Sequence, residues 1–164
     1  MRQSSEPVVS GLFTAAHAGS PMESHTQVEV VPGVGIIGDR YAARLGYWSN
    51  PKWPDQELTL VEAEVADELE IDAGRLRRNI VTRGLRLDDV IGRTFQIGDA
   101  VLVGIRRCDP CRYLDSLTRP GLSRLLAGRG GVRAHILQGG RIHIADQIIA
   151  GLCRARILGA DAKR

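Results

Sequence analysis

Two cysteines stand close together in the run Arg107-Cys108-Asp109-Pro110-Cys111, and their thiols are the groups best able to do chemistry. A structural zinc site needs four ligands, and no second Cys-x-x-Cys or suitably spaced histidine pair accompanies them. Thioredoxin-like dithiol exchange goes with a βαβ pattern, which this sequence lacks, although the pair could still oxidise reversibly. Two further interpretations stay open. Cys111 could act alone as a reactive thiolate, or both cysteines could be small buried hydrophobic residues.

Cys111 is the stronger candidate of the two. Pro110 is typical of the first turn of a helix, which places Cys111 near a predicted helix N-terminus. The unpaired N–H groups of that terminus, together with Arg106, Arg107 and Arg112, would stabilise a thiolate. Such a thiolate can attack a sulfur atom or bind a soft transition metal.

Positive charge is concentrated in arginines of the second half of the chain. Residues 55–72 hold eight acids and no base, whereas residues 75–93 hold six arginines and two aspartates. The planar arginine fork matches phosphate and carboxylate groups, so the pattern fits an anion-binding rim, but it also fits a solvated basic surface. In the segment Gly128–Ala134, glycine N–H groups could add an anion nest, although paired glycines more often just turn a hairpin.

The elements that must position these residues are mostly strands. Short β-branched runs separated by glycine turns predict a mostly-β fold with a few short helices (α+β), a β-barrel or a sandwich. Helices and strands do not alternate regularly, which argues against a doubly wound parallel sheet. The predicted strands are 8–16, 26–31, 58–60, 79–82, 90–99, 100–105, 132–137 and 141–150, and the predicted helices are 61–69, 110–117 and 122–127.

Bulk properties limit the class of protein. The chain has 164 residues, which suits a single domain spanning 1–164. No apolar run approaches the roughly 20 residues of a membrane helix, and the N-terminus lacks a secretory signal, so we expect a cytoplasmic protein without membrane partners. Three cysteines are an odd number that favours reduced thiols. The sequence pI is near 9.0, but aromatic residues make up only 4%, so nucleic-acid binding is not expected.

Read in order, several segments resemble the MOSC domain, the C-terminal domain of molybdenum cofactor sulfurases that also occurs as a stand-alone protein. The resemblance runs over residues 38–149, and residues 1–25 are a possible N-terminal strand or extension. Each motif is loose, while their order and spacing together are fairly specific. The matching segments are Gly38–Ala42, Leu60–Glu64, Arg77–Gly84, Ile91–Gly98, Cys108–Cys111, Gly130–Ala134 and Gly139–Ile142.

The resemblance implies a MOSC-type β-barrel and a site for the molybdenum cofactor (molybdopterin), whose pterin carries a phosphate. The family's marked cysteine maps onto Cys111, as a molybdenum ligand or a sulfur carrier. Basic residues and backbone amides of the matching segments are expected to hold the phosphate. The candidates for that role are Arg78, Asn79, Arg83, Arg129, Gly130, Gly131 and Arg133.

Two functions follow from this resemblance. In the first, the protein binds molybdopterin, Cys111 ligates molybdenum, and N-hydroxylated compounds are reduced with electrons from a partner protein. In the second, Cys111 accepts a persulfide from a cysteine desulfurase. Large relatives contain a pyridoxal-phosphate desulfurase domain, and we expect none in this chain. The sequence departs from the family at Ala145-Asp146, where relatives often have Gly-Asp, which leaves the last turn in doubt.

Overall fold

Strands dominate the structure, a computed structural model that describes residues 5–50 and 56–154. The strands of this part are β1 (Val8–Thr14), β2 (Glu23–Ser24), β3 (Gln27–Val31), β4 (Gly35–Ile36), β5 (Leu58–Glu62), β6 (Ile80–Arg83), β7 (Arg93–Ile97), β8 (Ala100–Arg107), β9 (Val132–Gln138), β10 (Gly140–His143) and β11 (Ile148–Arg154). The helices are short: α1 (Ala63–Glu68), α2 (Arg112–Leu117) and α3 (Leu122–Leu125), with 3₁₀ turns at Ala73–Leu76 and Leu87–Val90.

Eight strands form one curled sheet in the order β11-β7-β8-β9-β5-β6-β1-β2. All neighbours pair antiparallel except β5 and β6, which are parallel. Strands β10, β3 and β4 form a second, three-stranded sheet. A bridge between Val8 and Gln147 and a 2.8 Å hydrogen bond from Ile148 N to Pro7 O connect β1 to the start of β11. The large sheet therefore curves back on itself, which confirms the predicted mostly-β, barrel-like fold.

The inward face of the curled sheet carries the main core. Phe95 and Leu102 lie opposite each other on β7 and β8 and are both fully buried. Buried and less buried side chains alternate along β7 and at the start of β8, because successive residues of a strand point to opposite faces. A second apolar cluster lies beneath the helices and includes Leu114, Leu122 and Leu126. This cluster packs the two helices that follow the cysteine segment onto the barrel, so that segment is held at both ends.

Three element predictions need correction. The single strand predicted for 141–150 is wrong, because Ala145 adopts φ +71° and ends β10 in a turn before β11 begins. Asp146 holds that turn by accepting a 2.7 Å hydrogen bond from His143 N. The helix predicted for 61–69 is shorter, because Val61 belongs to β5.

The third correction concerns the start of α2. Cys111, not Pro110, flanks the helix as its N-cap residue, with extended backbone angles. Cys111 O still accepts the 3.0 Å bond from Leu114 N, so the thiol does stand at the first turn of the helix.

None of the helices in the described ranges has the length and apolar character needed to span a membrane.

Candidate functional site

A pocket opens at the end of β8 where the cysteine segment leaves the sheet. Its walls come from the loop after β4, from β5, from the segment before β6, from β9 and from α2. The residues that line it are Arg40, Tyr41, Trp48, Thr59, Arg77, Arg78, Cys108, Asp109, Cys111, Tyr113, Leu114 and Arg133. The fold thus brings the predicted Cys111, Arg78 and Arg133 to one place, although they are far apart in the sequence.

The two cysteines differ in their exposure. Both are free thiols, but Cys108 is only 2% exposed whereas Cys111 is partly exposed. Cys108 N donates a 2.8 Å hydrogen bond to Gly131 O, which ties the segment to the start of β9. A reagent from solution therefore meets Cys111 before Cys108.

Gly130 and Gly131 lie directly behind the cysteine segment. A Cβ atom on Gly130 would stand 2.7 Å from the carbonyl oxygen of Cys108 and 3.1 Å from Cδ of Pro110. Gly131 has φ +104°, and a Cβ atom there would collide with the carbonyl oxygen of Leu60. These glycines allow the close approach of three backbone segments. The carbonyl oxygens of Gly130 and Gly131 accept hydrogen bonds from Arg78 Nε and Cys108 N. The expected contact of the two glycines with a cofactor stays a prediction.

Three arginines are buried at the pocket. Arg40, Arg77 and Arg133 are 5%, 8% and 8% exposed. Arg77 Nη1 donates a 2.6 Å hydrogen bond to Ser20 O, and Arg133 Nη1 donates to Oε1 of Gln56. In the described part of the chain, Arg77 Nη2 and Arg133 Nε are buried without a hydrogen-bond partner. Buried guanidinium N–H groups without an acceptor are costly, so these two atoms would favour an anionic acceptor in the pocket.

The balance of buried charges at the pocket also favours an anion there. Asp39 is the one buried carboxylate among residues 5–50 and 56–151, against the three buried arginines. It accepts hydrogen bonds from Arg40 Nη1 at 3.0 Å, Ala15 N at 3.1 Å and Tyr41 N at 3.2 Å. Burial lowers the pKa of the Arg77 guanidinium, and the neighbouring charge of Arg40 lowers it further. An anion in the pocket would relieve this excess positive charge.

Aromatic side chains form the pocket's outer wall. Tyr41 lies beneath the Arg40 guanidinium, with 4.7 Å from Cζ to the ring centroid. Burial raises the pKa of the Tyr41 hydroxyl, although Arg40 and Arg133 act in the opposite direction. Tyr113 stacks on the exposed Tyr47, with ring centroids 3.8 Å apart. Aromatic rings thus line the pocket beside its arginines.

Arg78 and Asn79 behave differently although they are adjacent. Arg78 lines the pocket, and its Nε donates a 2.8 Å hydrogen bond to Gly130 O. Asn79 is 1% exposed; its Oδ1 accepts from Thr59 N at 3.1 Å and its Nδ2 donates to Phe13 O at 3.1 Å. The structure therefore shows Asn79 joining β5 to β1, and its predicted contact with a cofactor stays untested.

Arg83 and Arg129 lie outside the pocket. Arg83 pairs with Asp67 at 2.9 Å, and Arg129 pairs with Glu68 at 2.7 Å, with side chains 46% and 35% exposed. Both acids belong to the acidic stretch that precedes the arginine-rich part of the sequence. Their role in cofactor binding stays a prediction, but these ion pairs account for both charges without a ligand.

Sequence reasoning missed Arg40 and Arg77 as site residues. Both lie in segments that match the family, Arg40 in Gly38–Ala42 and Arg77 in Arg77–Gly84. Nothing in the local pattern distinguishes them from the solvated arginines nearby. Arg77 adopts φ +58°, and this left-handed conformation at the end of a 3₁₀ turn is a further feature that the sequence does not signal.

Cation ligands do not cluster in the described residues: no group of three or more His, Cys, Asp or Glu side chains is arranged to hold a metal ion. A metal at this pocket would therefore depend on Cys111 together with ligands that a cofactor brings.

Comparison with known families identifies the chain. The sequence model of the MOSC domain matches residues 53–149, more than half of the protein. The chain belongs to the MOSC domain family. This family is associated with molybdenum cofactor sulfurase-like proteins, and the match confirms the resemblance found in the sequence. No curated protein matches the chain at a significant level.

Solved structures share the fold. The YUAD protein from Bacillus subtilis is 18% identical with a TM-score of 0.69, covering 87% of this chain and 94% of that one. YiiM from Geobacillus stearothermophilus is 19% identical with a TM-score of 0.63, over 93% and 75% of the two chains. YiiM from Escherichia coli is 17% identical with a TM-score of 0.62, over 90% and 70%. At these identities the likeness concerns the fold alone.

Proposed function

We propose that this MOSC protein binds the molybdenum cofactor, with the pterin phosphate against Arg77 and Arg133 and the metal at Cys111. The observation that carries the proposal is the pair of buried, unpartnered guanidinium N–H groups in a pocket that also contains a reachable thiol. Phosphate oxygens are suitable acceptors for such groups.

The donor set of the pocket fits this cofactor. Arg77 Nη2 and Arg133 Nε need an anionic acceptor, which the phosphate provides. A thiolate is a soft ligand of the kind that favours a transition metal bound by sulfur. Cys111 is partly exposed at the pocket, so its sulfur can reach a group placed there.

When bound, the cofactor supplies a redox-active metal for the reduction of N-hydroxylated compounds. The chain's own residues do the rest. Arg77 and Arg133 hold the phosphate, while Asn79 fixes Thr59 in the pocket wall. Tyr41 lines the pocket, and its hydroxyl can donate a hydrogen bond there. Electrons are expected from a partner protein.

A second candidate is a sulfur carrier, favoured by the exposure of Cys111 relative to Cys108. The thiolate of Cys111 attacks the terminal sulfur of a persulfide on a cysteine desulfurase. A new S–S bond forms at Cys111, the old one breaks, and the desulfurase cysteine leaves as a thiolate. This function needs an accessible thiol and no resident metal.

Metal and pterin analysis tests both functions. We expect the full chain, purified from a host that makes molybdenum cofactor, to hold molybdenum and pterin in equal amounts. Cys111→Ser should lose most of the metal because its sulfur ligand is gone. Arg133→Met should lose both metal and pterin because the phosphate loses its donor.

The matched control is Arg93→Met, which removes an exposed strand arginine and should leave both contents unchanged. A wild-type protein without pterin would overturn cofactor binding. If that protein instead gains one sulfur atom on Cys111 only when incubated with a desulfurase and cysteine, the carrier function is supported.

A further inference from the structure

The second cysteine of the pocket has no part in either function above. Cys108 lines the same pocket as Cys111, only two residues separate them, and both thiols are free. Cys108 is almost completely buried, whereas Cys111 is partly exposed. This asymmetry gives the two thiols different chemical roles.

We infer that Cys108 is a resolving thiol, which closes a disulfide with Cys111 when a peroxide has oxidised Cys111. The order of events follows from access. An oxidant in solution reaches Cys111 first, and Cys108 is protected from direct attack by its burial.

The reaction balances without a cofactor. The Cys111 thiolate attacks hydrogen peroxide, the O–O bond breaks, and sulfenic acid forms with release of hydroxide. The Cys108 sulfur then attacks the Cys111 sulfur, the S–O bond breaks, and the proton of the Cys108 thiol leaves with the oxygen as water. A dithiol reductant returns both thiols by exchange.

The surroundings of the two cysteines suit this closure. Cys111 flanks the short helix α2, and Cys108 is bound through its N–H to Gly131 O. The Asp109-Pro110 link between them rests against Gly130, which has no side chain to displace. Residues 108–111 form neither a turn nor a bend in the reduced protein, so closure requires this short segment to bend until the two sulfur atoms meet.

The consequence is a reversible loss of function. A disulfide removes the Cys111 sulfur from the pocket as a metal ligand and as a sulfur acceptor. It also prevents further oxidation of Cys111 to sulfinic acid, which thiols do not reverse. The chemistry requires neither a bound cofactor nor a desulfurase, so it stands or fails separately from the proposed function.

Peptide mapping tests the inference directly. The reduced full chain is treated with hydrogen peroxide, remaining thiols are alkylated, and the protein is digested with trypsin. Residues 108–112 form one tryptic peptide with both cysteines, and Cys153 falls in the separate peptide 142–154. We expect the 108–112 peptide to lose two hydrogen atoms and to escape alkylation until dithiothreitol is added.

Two variants sharpen the result. In Cys108→Ser, Cys111 should accumulate as sulfenic acid that dimedone traps, and its irreversible oxidation should rise severalfold. In Cys111→Ser, Cys108 should stay reduced under the same treatment because it is buried. Cys108→Ala serves as a second variant if a buried hydroxyl impairs folding.

Several outcomes would overturn the inference. These are two alkylatable thiols on the wild-type 108–112 peptide after peroxide, a disulfide to Cys153 or between molecules, or equal irreversible oxidation of Cys111 with and without Cys108.

Discussion

Arg133 and Arg129 stand four residues apart in the chain, yet their surroundings are opposite. Arg129 lies on the surface and pairs with Glu68, whereas Arg133 is buried with an Nε that has no partner. The same contrast separates Arg77 from Arg83, which pairs with Asp67. Arginine content alone therefore does not locate an anion site. Burial without a compensating carboxylate is what distinguishes the arginines of the proposed anion site.

The largest test of this contrast is removal of Asp39, the buried carboxylate that pairs with the pocket residue Arg40. Asp39→Asn leaves Arg40 without its buried partner, and we expect a loss of about 3–5 kcal/mol in the free energy of unfolding. Urea denaturation measures it. Asp67→Asn removes the exposed partner of Arg83 and is the control. A loss below ~1 kcal/mol for Asp39→Asn would mean that the pocket charges are not desolvated as the structure shows.

A substitution at Asn79 tests whether this residue supports the fold or contacts the cofactor. Asn79→Ala removes the acceptor of Thr59 N and the donor to Phe13 O, so we expect about 2–3 kcal/mol of destabilisation. The measurement is urea denaturation in phosphate-free buffer. If the variant keeps full stability but fails to retain pterin, then Asn79 contacts the cofactor as the sequence predicted, and its structural assignment is wrong.

Inorganic phosphate probes the pocket arginines without any cofactor. A ligand at ten times its Kd stabilises the native state by about 1.4 kcal/mol, and we expect a gain of this size for the wild type. Arg133→Met should lose the gain while its stability without phosphate is unchanged or higher, because an uncompensated buried charge is removed. Thermal denaturation over a phosphate series measures both.

The control for the phosphate series is Arg93→Met, which should respond as the wild type does. Equal phosphate responses in Arg133→Met and wild type would place the anion elsewhere on the protein.

Substitution of Arg83 is expected to change the free energy of unfolding by a smaller amount. Arg83→Gln breaks an exposed ion pair with Asp67, so we expect a change of at most ~0.5 kcal/mol that disappears at high salt. Retention of pterin should be unchanged because Arg83 does not line the pocket. Reduced retention at unchanged stability would restore Arg83 to the rim that the sequence predicted.

Substitution of Arg107 gives the smallest expected effect, a change in the pKa of Asp88 that an NMR titration measures. Its guanidinium donates to both carboxylate oxygens of Asp88, at 3.0 and 2.7 Å, and lowers the pKa of that carboxyl. The stabilisation is therefore present above the ordinary pKa of aspartate and is lost as pH falls through the lowered value. In Arg107→Gln the pKa of the Asp88 carboxyl should rise towards its ordinary range, as measured by NMR titration. An unchanged pKa would contradict the pair.

The sequence predicted the strands and the approximate place of Cys111 relative to α2 because both depend on local patterns. A continuous apolar run, Ala100–Ile105, identifies β8, and Cys111 does flank the helix. Ala145 shows the limit of such reasoning, since the turn expected of glycine persists with alanine at φ +71° and Asp146 bonded to His143 N. The burial of Arg40 and Arg77 depends on segments distant in the chain, and no local pattern reports it.

The glycines behind the cysteine segment limit which substitutions this protein can tolerate. Gly130 and Gly131 meet the backbone of Cys108 and Leu60 so closely that a library of side chains at either position would mostly yield damaged proteins. Trp48 and Tyr113 also line the pocket, but their side chains are partly exposed and contact the ring of Tyr47 rather than a neighbouring main chain. Changes to the pocket lining are therefore best made at these two aromatic positions, while the glycine pair is kept as the fixed frame behind Cys111.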